Sequence, residues 1–447
     1  MDAFMGAESA GAKKQRIEYA AVATSPLING EVTLEIDDGF LSIASLFETF
    51  QIAYAEINAL ENKDYLVAVE ADCGRFVFSR LGNRGEPFYD ELLKAYNEAV
   101  LRSLFIKGAP LLTAHGGYAY SEDSSNANGA ARISVFDDCV AVLPPSLSAR
   151  RVPLRFTVGA EKGDFEYTLR LDSGERYAFS RLGYDTVPFA DAVEKRIRAL
   201  RGETLSAVKE IAPALSAAEA SRIAGLMPGG SAAPIGRLKD ISASFVSALE
   251  GKIEKTRAAD SYAAFRELSD PTRICVGFKR NEAESSNSAG SAFDGLPGGN
   301  PLGALGGFLG GNPMEALGSM FGGAAAEGTQ EENDDPFLLW LIAPSPGGEF
   351  ASVEFAEENS ATYVYRTRGD FDGFARRLNR ALEAVGFKRD AIRFTDEELR
   401  KPENADYLMA SKRTEALRFV RGNFVGRAIH SNAQSWRRRL SELWSGG

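Results

Sequence analysis

The sequence predicts an α+β protein with an internal duplication, and three observations support this prediction. The stretch at 75–82, RFVFSRLG, recurs at 176–183 as RYAFSRLG. Each copy is followed by a helical pattern that begins at a proline, Pro87 or Pro188. An acidic turn also lies upstream of each copy at nearly the same distance. Matches that recur in register indicate a repeated domain, because chance seldom reproduces several of them at one spacing.

The composition limits the classes of protein to which the chain can belong. A length of 447 residues predicts about three domains. The formal net charge of −11 disfavours a general attraction to nucleic acid or anionic lipid. The three cysteines are far apart and odd in number, which indicates a reducing compartment. The N-terminus lacks the apolar core of a signal peptide, and the longest apolar run, 337–344, is far too short to span a membrane, so we expect a cytoplasmic protein.

Each copy is predicted to fold as antiparallel strands closed by one amphipathic helix. Alternating apolar and polar residues between turn residues predict the strands. They are expected at 17–23, 32–36, 40–43, 50–57, 65–71 and 75–79, and again at 132–136, 141–143, 154–158, 165–171 and 176–180. The apolar face of each helix is predicted to consist of Phe88, Leu92, Tyr96 and Val100 in the first copy and of Phe189, Val193, Ile197 and Leu200 in the second.

In each copy a series of strands ends in RFVFSRLG or RYAFSRLG and is followed by Pro-Phe and a helix. This order of elements resembles bacterial pleckstrin-homology-like domains in tandem, at 16–107 and 108–205. The resemblance implies a bent antiparallel sheet or barrel with its own C-terminal capping helix in each copy. It also implies a family of lipid binders, peptide binders and scaffolds that is not generally catalytic. Phosphoinositide recognition in that family needs basic residues in the first hairpin loop, where this chain has Asp37-Asp38 and Asp137-Asp138. Arg150-Arg151 in the second copy keep lipid-headgroup binding open.

The second half of the chain is predicted to contain three parts: a helical linker at 206–272, an α+β module at 273–390 and basic C-terminal helices at 391–447. Strands are expected at 273–278, 337–343, 350–355 and 361–366, and a helix at 371–386. Because 363–369 and Phe374 echo the repeated motif, we interpret this module as a degenerate third copy. A Gly-rich stretch at 281–335 interrupts it, and this composition predicts a mobile insertion. The final helix is predicted to run without a break from 413 to 444, after a capping box at 395–398.

Arg80 and Arg181 are the candidate anion contacts of the duplicated part. Both stand two residues before the glycine that ends the motif, and a planar guanidinium suits an anionic group. The favoured interpretation is instead that each arginine packs its stem on the sheet and pairs with a local carboxylate. The acidic pairs upstream are interpreted as turn residues and not as catalytic carboxylates.

No catalytic, metal-binding or cofactor-binding residue is assigned. His115 and His430 are the only histidines and are too isolated to indicate a triad or a metal site, so surface or loop positions are expected. The arginines at 437–439, between Trp436 and Trp444, have the pattern of a patch for nucleic acid or an acidic partner. Pairing with the chain's own acidic surface is the favoured interpretation.

The Gly-rich stretch contains a twelve-residue unit twice in succession, GGNPLGALGGFL and GGNPMEALGSMF. The Asn-Pro pairs are credible helix starts, and the apolar residues after them suit adaptable capture of an apolar partner surface. The candidate partner-binding residues are Leu302, Leu305, Phe308, Met314, Leu317, Met320 and Phe321. The alternative is a spacer without a binding role.

These observations predict a non-enzymatic cytoplasmic adaptor or scaffold. It would bind protein partners, whose identity the sequence does not give, through its pleckstrin-homology-like modules and its Gly-rich segment. One alternative is a peripheral membrane-surface protein that binds lipid headgroups. A second alternative is an enzyme whose site is not recognisable from sequence, and an association with nucleic acid is the least favoured.

Overall fold

A computed structural model of the chain describes residues 17–122, 125–280, 336–356, 361–387 and 392–446. The chain divides into one compact unit, formed by Met1–Lys279 and Leu339–Gly447, and a second unit, Arg280–Leu338. Antiparallel sheets and helices make up the described ranges, which confirms the α+β class. Within those ranges no helix combines the length and the apolar composition needed to cross a membrane.

The first sheet is antiparallel and has seven strands. They are β1 Glu18–Thr24, β2 Asn29–Ile36, β3 Phe40–Ala44, β4 Thr49–Ala53, β5 Ile57–Lys63, β6 Leu66–Ala71 and β7 Gly74–Ser79. Their order across the sheet is β4-β3-β2-β1-β7-β6-β5, so the first and last strands are neighbours. Helix α1, Gly85–Ser103, follows directly. Its predicted apolar face is confirmed, since Phe88, Leu92, Tyr96 and Val100 are all fully buried.

The second sheet repeats this strand order. Its strands are β8 Leu112–Glu122, β9 Ser125–Val135, β10 Cys139–Leu143, β11 Arg150–Pro153, β12 Thr157–Lys162, β13 Glu166–Leu171 and β14 Arg176–Ser180. They lie in the order β11-β10-β9-β8-β14-β13-β12, which matches the first sheet strand for strand. Helix α2, Thr186–Ile211, follows β14 and buries Phe189 and Val193. Strands β8 and β9 contain 11 residues each and form a long hairpin, most of which the sequence did not predict.

Equivalent aromatic pairs fix each helix to its sheet. The rings of Phe78 and Phe88 lie 6.2 Å apart, edge to face, and those of Phe179 and Phe189 lie 5.1 Å apart. All four side chains are at most 1% exposed, as the sequence predicted. The phenylalanine after the proline therefore anchors the first turn of the helix in both copies.

Helices connect the second sheet to the third. They are α3 Ala217–Leu226, α4 Ile235–Lys239, α5 Ala243–Ile253 and α6 Ala259–Leu268. The break after α3 requires glycine at Gly230, where φ is +80° and a Cβ would lie 1.9 Å from the carbonyl oxygen of Phe278. This close approach places the linker against the third sheet.

The third sheet has six strands, and consecutive strands are neighbours throughout. They are β15 Ala233–Pro234, β16 Cys275–Arg280, β17 Phe337–Pro344, β18 Phe350–Phe355, β19 Ala361–Arg366 and β20 Phe424–Ile429. Helix α7, Phe371–Ala384, follows β19 and buries Phe374, Leu378 and Leu382. The order of the strands differs from that of the first two sheets, although the β19–α7 connection resembles β7–α1 in sequence.

The C-terminal region does not consist of helices alone. Its helices are α8 Asp396–Leu399, α9 Ala405–Arg413, α10 Glu415–Gly422 and α11 Ala433–Trp444. The capping box at Thr395 and Glu398 is confirmed. The prediction of an unbroken helix from 413 to 444 is wrong, because Thr414 has an extended backbone and β20 pairs with β19.

Candidate functional site

Arg80 and Arg181, the two predicted anion contacts, occupy equivalent positions directly after β7 and β14. Both have left-handed backbones, with φ of +60° and +56°, and in each case the glycine two residues later has φ of +58°. A left-handed conformation costs a residue other than glycine about 1–2 kcal/mol. The two copies therefore retain an arginine where the backbone favours glycine.

Both arginines are exposed, and neither side chain forms an ion pair or a hydrogen bond with the residues that the structure describes. The pairing with a local carboxylate that the sequence favoured is therefore not found in the described part of the chain. Arg368, at the corresponding point of the third sheet, differs in this respect. It also has a left-handed φ of +57°, but its Nε donates to Asn423 Oδ1 at 3.1 Å.

An exposed aromatic side chain lies at the neighbouring hairpin tip in both copies. Tyr65, in the β5–β6 turn, is 95% exposed, and Phe165, in the β12–β13 turn, is 85% exposed. The β6–β7 register pairs Val67 with Phe78, and Tyr65 and Arg80 each lie two residues beyond this pair, at the same end of the hairpin. The β13–β14 register likewise leads from Glu166 and Ser180 to Phe165 and Arg181. We call these two pairs, Arg80 with Tyr65 and Arg181 with Phe165, the Arg–aromatic tips.

A groove of about 1040 Å³ adjoins the second tip. Helix α1 of the first copy forms one side of it, and strands β8 and β9 with Arg181 form the other. Its charged and polar lining includes Lys94, His115, Arg132, Asp90 and Glu166. Gly116 lines the groove as well, and a Cβ there would lie 2.7 Å from both Leu182 Cδ2 and the carbonyl oxygen of Ser180. A glycine is therefore needed to let the long hairpin approach the strand end that carries Arg181.

The two copies are joined by backbone hydrogen bonds. The amide of Leu60, in β5, donates to the carbonyl of Pro145 at 2.8 Å, and the amide of Leu147 donates to the carbonyl of Asn58 at 2.9 Å. The segment after β10 thus extends the edge of the first sheet. Backbone pairs of this kind fix register as well as position, so the groove lies between elements in a defined arrangement.

Arg150 and Arg151, the residues that kept lipid binding open, are buried. Their exposed fractions are 6% and 9%. Arg150 Nε lies 3.2 Å from Glu122 Oε2, and Arg151 Nη2 lies 2.6 Å from Asp138 Oδ2 and 3.3 Å from Glu383 Oε1. Burial alone would lower the pKa of Arg151, but the surrounding acidic groups, including Asp138 and Glu383, raise it overall. Both arginines therefore belong to the interior and not to an exposed basic surface.

Further buried polar contacts tie the C-terminal part of the chain to both copies. Arg380 of α7 binds Glu175 through two hydrogen bonds, Nη2 to Oε2 at 2.7 Å and Nε to Oε1 at 3.2 Å. Arg413, at the end of α9, donates to the hydroxyl of Tyr96 in α1. Lys412 Nζ lies 2.6 Å from Asp72 Oδ2. The partners are hundreds of residues apart in sequence, so no local pattern pointed to them.

His430 belongs to a structural cluster that the sequence did not reveal. It follows β20, its side chain is 17% exposed, and its Nε2 lies 3.1 Å from Oε1 of the fully buried Glu354. Its ring stacks on Trp436, whose Nε1 donates to Thr362 Oγ1 at 2.9 Å. These contacts hold α11 against the third sheet. His115, by contrast, is exposed, as expected.

The basic patch at 437–439 pairs with acidic groups of the chain itself, which was the favoured interpretation. Arg437 Nη2 lies 2.8 Å from Glu267 Oε2 of α6. Arg438 and Arg439 both pair with Glu442 of their own helix. Among the described residues, no group of three or more His, Cys, Asp and Glu side chains could hold a metal ion.

The seven candidate partner-binding residues of the Gly-rich stretch lie outside the described residues. They are Leu302, Leu305, Phe308, Met314, Leu317, Met320 and Phe321. Their capture role therefore stays a prediction.

The structure thus brings one predicted residue, Arg181, together with groups that the sequence did not connect to it. The aromatic tips were missed, although the aspartate-aromatic pairs Asp64-Tyr65 and Asp164-Phe165 recur at nearly the same spacing before the motif. No family model matches the chain, and none of the curated proteins searched matches it either.

Proposed function

We propose that the chain is a non-enzymatic adaptor or scaffold that binds protein partners through two tandem pleckstrin-homology-like modules. The two Arg–aromatic tips are the binding surfaces of these modules, and the Gly-rich segment is a further site of contact. A cytoplasmic location belongs to the same proposal.

The observation that carries this proposal is the repetition of an exposed arginine in a strained backbone beside an exposed aromatic. Arginine and tyrosine are enriched among the residues that dominate protein–protein binding energies. Retaining the arginine at a left-handed position opposes stability in both copies, and an interaction made by its side chain explains why glycine has not replaced it. Two equivalent tips on joined modules also suit a dimeric or repeated partner, since the second contact benefits from local concentration.

The competing interpretation is a lipid-headgroup binder, and the charge distribution favours a protein partner instead. The first hairpin loops are acidic, at Asp37-Asp38 and Asp137-Asp138. The arginines that the second copy offers near this region are buried and lie against carboxyl groups of the interior. A headgroup phosphate would therefore meet acidic turns where it needs accessible cations.

The test replaces both arginines with glycine. Because both positions have left-handed backbones, Arg80→Gly and Arg181→Gly should leave stability unchanged or raise it by up to about 1 kcal/mol each. Partner recovery by the intact protein from a lysate of its native host should fall, as measured by quantitative mass spectrometry. The matched control is Arg75→Gln with Arg176→Gln, which changes exposed arginines in the strands of the same two motifs. Equal recovery by both double variants would refute a role for the tips.

Liposome sedimentation tests the alternative, a lipid-headgroup binder. The protein should not sediment with vesicles that contain phosphoinositide. If it does, and if Arg80→Gly and Arg181→Gly abolish the sedimentation, the tips bind lipid and not a protein partner. Deletion of 281–335 in the same capture experiment tests the Gly-rich segment independently. Loss of partners upon this deletion alone would place the contact there and not at the tips.

A further inference from the structure

A cavity of about 750 Å³ lies where the second copy meets the helices that follow it. The start of β12 and helix α2 form one side, and α3, α4 and α7 form the rest. Its volume falls in the range of small-molecule sites, about 300–1,000 Å³, and such sites occur preferentially between domains. The cavity is separate from the Arg–aromatic tips and from the groove beside Arg181.

Three arginines that line this cavity, Arg201, Arg237 and Arg376, form no ion pair with a carboxylate of the described residues, although the charge of Arg376 opposes the burial that raises the pKa of Asp172. Arg201 donates to the backbone carbonyl of Thr157 at 3.1 Å, which positions its guanidinium at the wall. Arg155, a fourth arginine, lies 3.6 Å from Glu203 Oε2 and 3.7 Å from Glu383 Oε1. The cavity also has carboxylates, Asp172 and Asp372, but the unpaired guanidinium groups outnumber them. The wall is therefore electropositive.

Two polar atoms of the lining residues are buried without a hydrogen bond. Thr157 lines the cavity and is only 5% exposed, yet its hydroxyl has no hydrogen-bond partner in the described part of the chain. Nε of Arg155 is likewise buried without a hydrogen bond. Buried polar atoms without partners are uncommon and unfavourable in folded proteins. Both atoms have almost no accessible surface, so it is the guanidinium groups of the wall, and not these atoms, that indicate an anionic ligand.

The remaining lining is apolar. It includes Leu200, Leu226, Pro228 and Ala375, from α2, the end of α3 and α7. An inorganic anion would leave this wall in contact with water. A molecule with an apolar body and one anionic end would cover it and place its charge against the arginines.

We propose that this cavity binds a small amphiphilic organic anion, with a carboxylate or phosphate group held by Arg201, Arg237 and Arg376 and with an apolar body against α3 and α7. Arginine suits either group, because its planar fork matches both in two-point hydrogen bonding.

The experiment uses probes of one chain length, studied with the full-length protein by isothermal titration calorimetry. Decanoate and decyl phosphate share an apolar body and differ in the anionic group, decanol lacks the charge, and inorganic phosphate lacks the body. We expect at least one of the two anionic probes to bind, and to bind at least about tenfold more tightly than decanol or inorganic phosphate, since a charge-assisted hydrogen bond changes affinity by that order. The stronger of the two anions identifies the headgroup.

Variants then place the binding in this cavity. Arg237→Gln with Arg376→Gln changes two exposed side chains without internal ion pairs, so folding should persist, and affinity for the anionic probe should fall at least about tenfold. Arg198→Gln, on the outer face of α2 and 70% exposed, is the matched control and should bind as the parent does. Ala224→Leu narrows the cavity without changing its charge and should weaken decanoate and decyl phosphate alike.

The proposal is overturned if no anionic probe binds, if decanol binds as tightly, or if the arginine variants and Ala224→Leu bind like the parent. Circular dichroism melts of each variant exclude misfolding as the cause of a loss.

Discussion

Replacing Glu122 with glutamine should make the protein less sensitive to a rise in pH. Glu122 is the last residue of β8 and is 5% exposed. Burial raises the pKa of its carboxyl group from the ordinary 4.5 to about 7. The carboxylate of Glu175 contributes to this rise in pKa, while Arg150 and Arg380 oppose it. The net direction is upward, which is unusual for an acid within 4 Å of an arginine.

The sign of the pH dependence follows from proton binding. Between pH 4.5 and about 7 the folded protein keeps the Glu122 proton while the unfolded chain has lost it. The folded state therefore binds more protons, and its stability falls as pH rises through this window. The stability that the protonated Glu122 contributes is fully present below the pKa of the unfolded chain and is lost above the pKa of the folded protein. At 1.36 kcal/mol per pH unit, the loss on passing from pH 4.5 to about 7 is of the order of 3 kcal/mol.

Glutamine has nearly the same shape as the protonated acid and does not ionise. The unfolding free energy of Glu122→Gln minus that of the parent should therefore increase by about 2–3 kcal/mol between about pH 5 and pH 8. Urea unfolding followed by far-ultraviolet circular dichroism at both pH values gives this difference, and any fixed cost of the substitution cancels in it. Glu161→Gln, an exposed carboxylate on β12 of the same sheet, is the control and should show little change.

The opposite sign would refute the reasoning. Arg150 Nε lies 3.2 Å from Glu122 Oε2, although neither atom takes part in a hydrogen bond. If this contact were a strong ion pair, the ionised carboxylate would stabilise the fold, and Glu122→Gln would lose stability as pH rises. The pH dependence thus decides whether burial or the neighbouring arginine dominates at this position.

Other substitutions test packing. Phe88→Ala and Phe189→Ala should each cost about 3–5 kcal/mol, because each removes a buried ring that anchors a covering helix, and thermal denaturation showing losses below about 1 kcal/mol at both would contradict that packing. Arg380→Met should cost about 3–5 kcal/mol by leaving Glu175 buried without its guanidinium partner, and restoration by a second change, Glu175→Gln, in urea unfolding would confirm the cause. Gly277→Ala should cost at least about 1–3 kcal/mol, since its Cβ would lie 2.2 Å from Cε2 of Trp340.

The sequence predicted the parts of the fold that depend on local pattern. The α1 and α2 faces follow a helical period, and the turn at Asp37-Asp38 carries a standard hairpin signal, so both were found. Strand β8 was largely missed because Gly116-Gly117 interrupts its alternation, and those glycines are present for close approach to Ser180. The alternation of a strand is lost where packing against another element demands glycine.

The sequence predicted the arginines of the candidate site but not the aromatic side chains. The repeated motif identified Arg80 and Arg181, but nothing in the motif gave their left-handed backbones or their lack of internal partners. Glu383 illustrates the reason: it is a buried acid in an amphipathic helix and pairs with an arginine 232 positions earlier. Contacts over such separations depend on how the modules assemble, and a single sequence carries no local signal for them.

The duplicated edge strands show how two similar copies acquired different roles. By sheet register, Arg150 and Arg151 of β11 occupy the places that Phe50 and Gln51 have in β4. Phe50 stacks on Phe76 within its own sheet, at 5.6 Å between ring centroids, whereas the two arginines reach into the C-terminal part of the chain. Strand β11 is at one edge of the second sheet, and the tip strands β12–β14 are at the other. The arginine and the aromatic side chain at each hairpin tip are exposed in both copies, so they are not used in these assembly contacts.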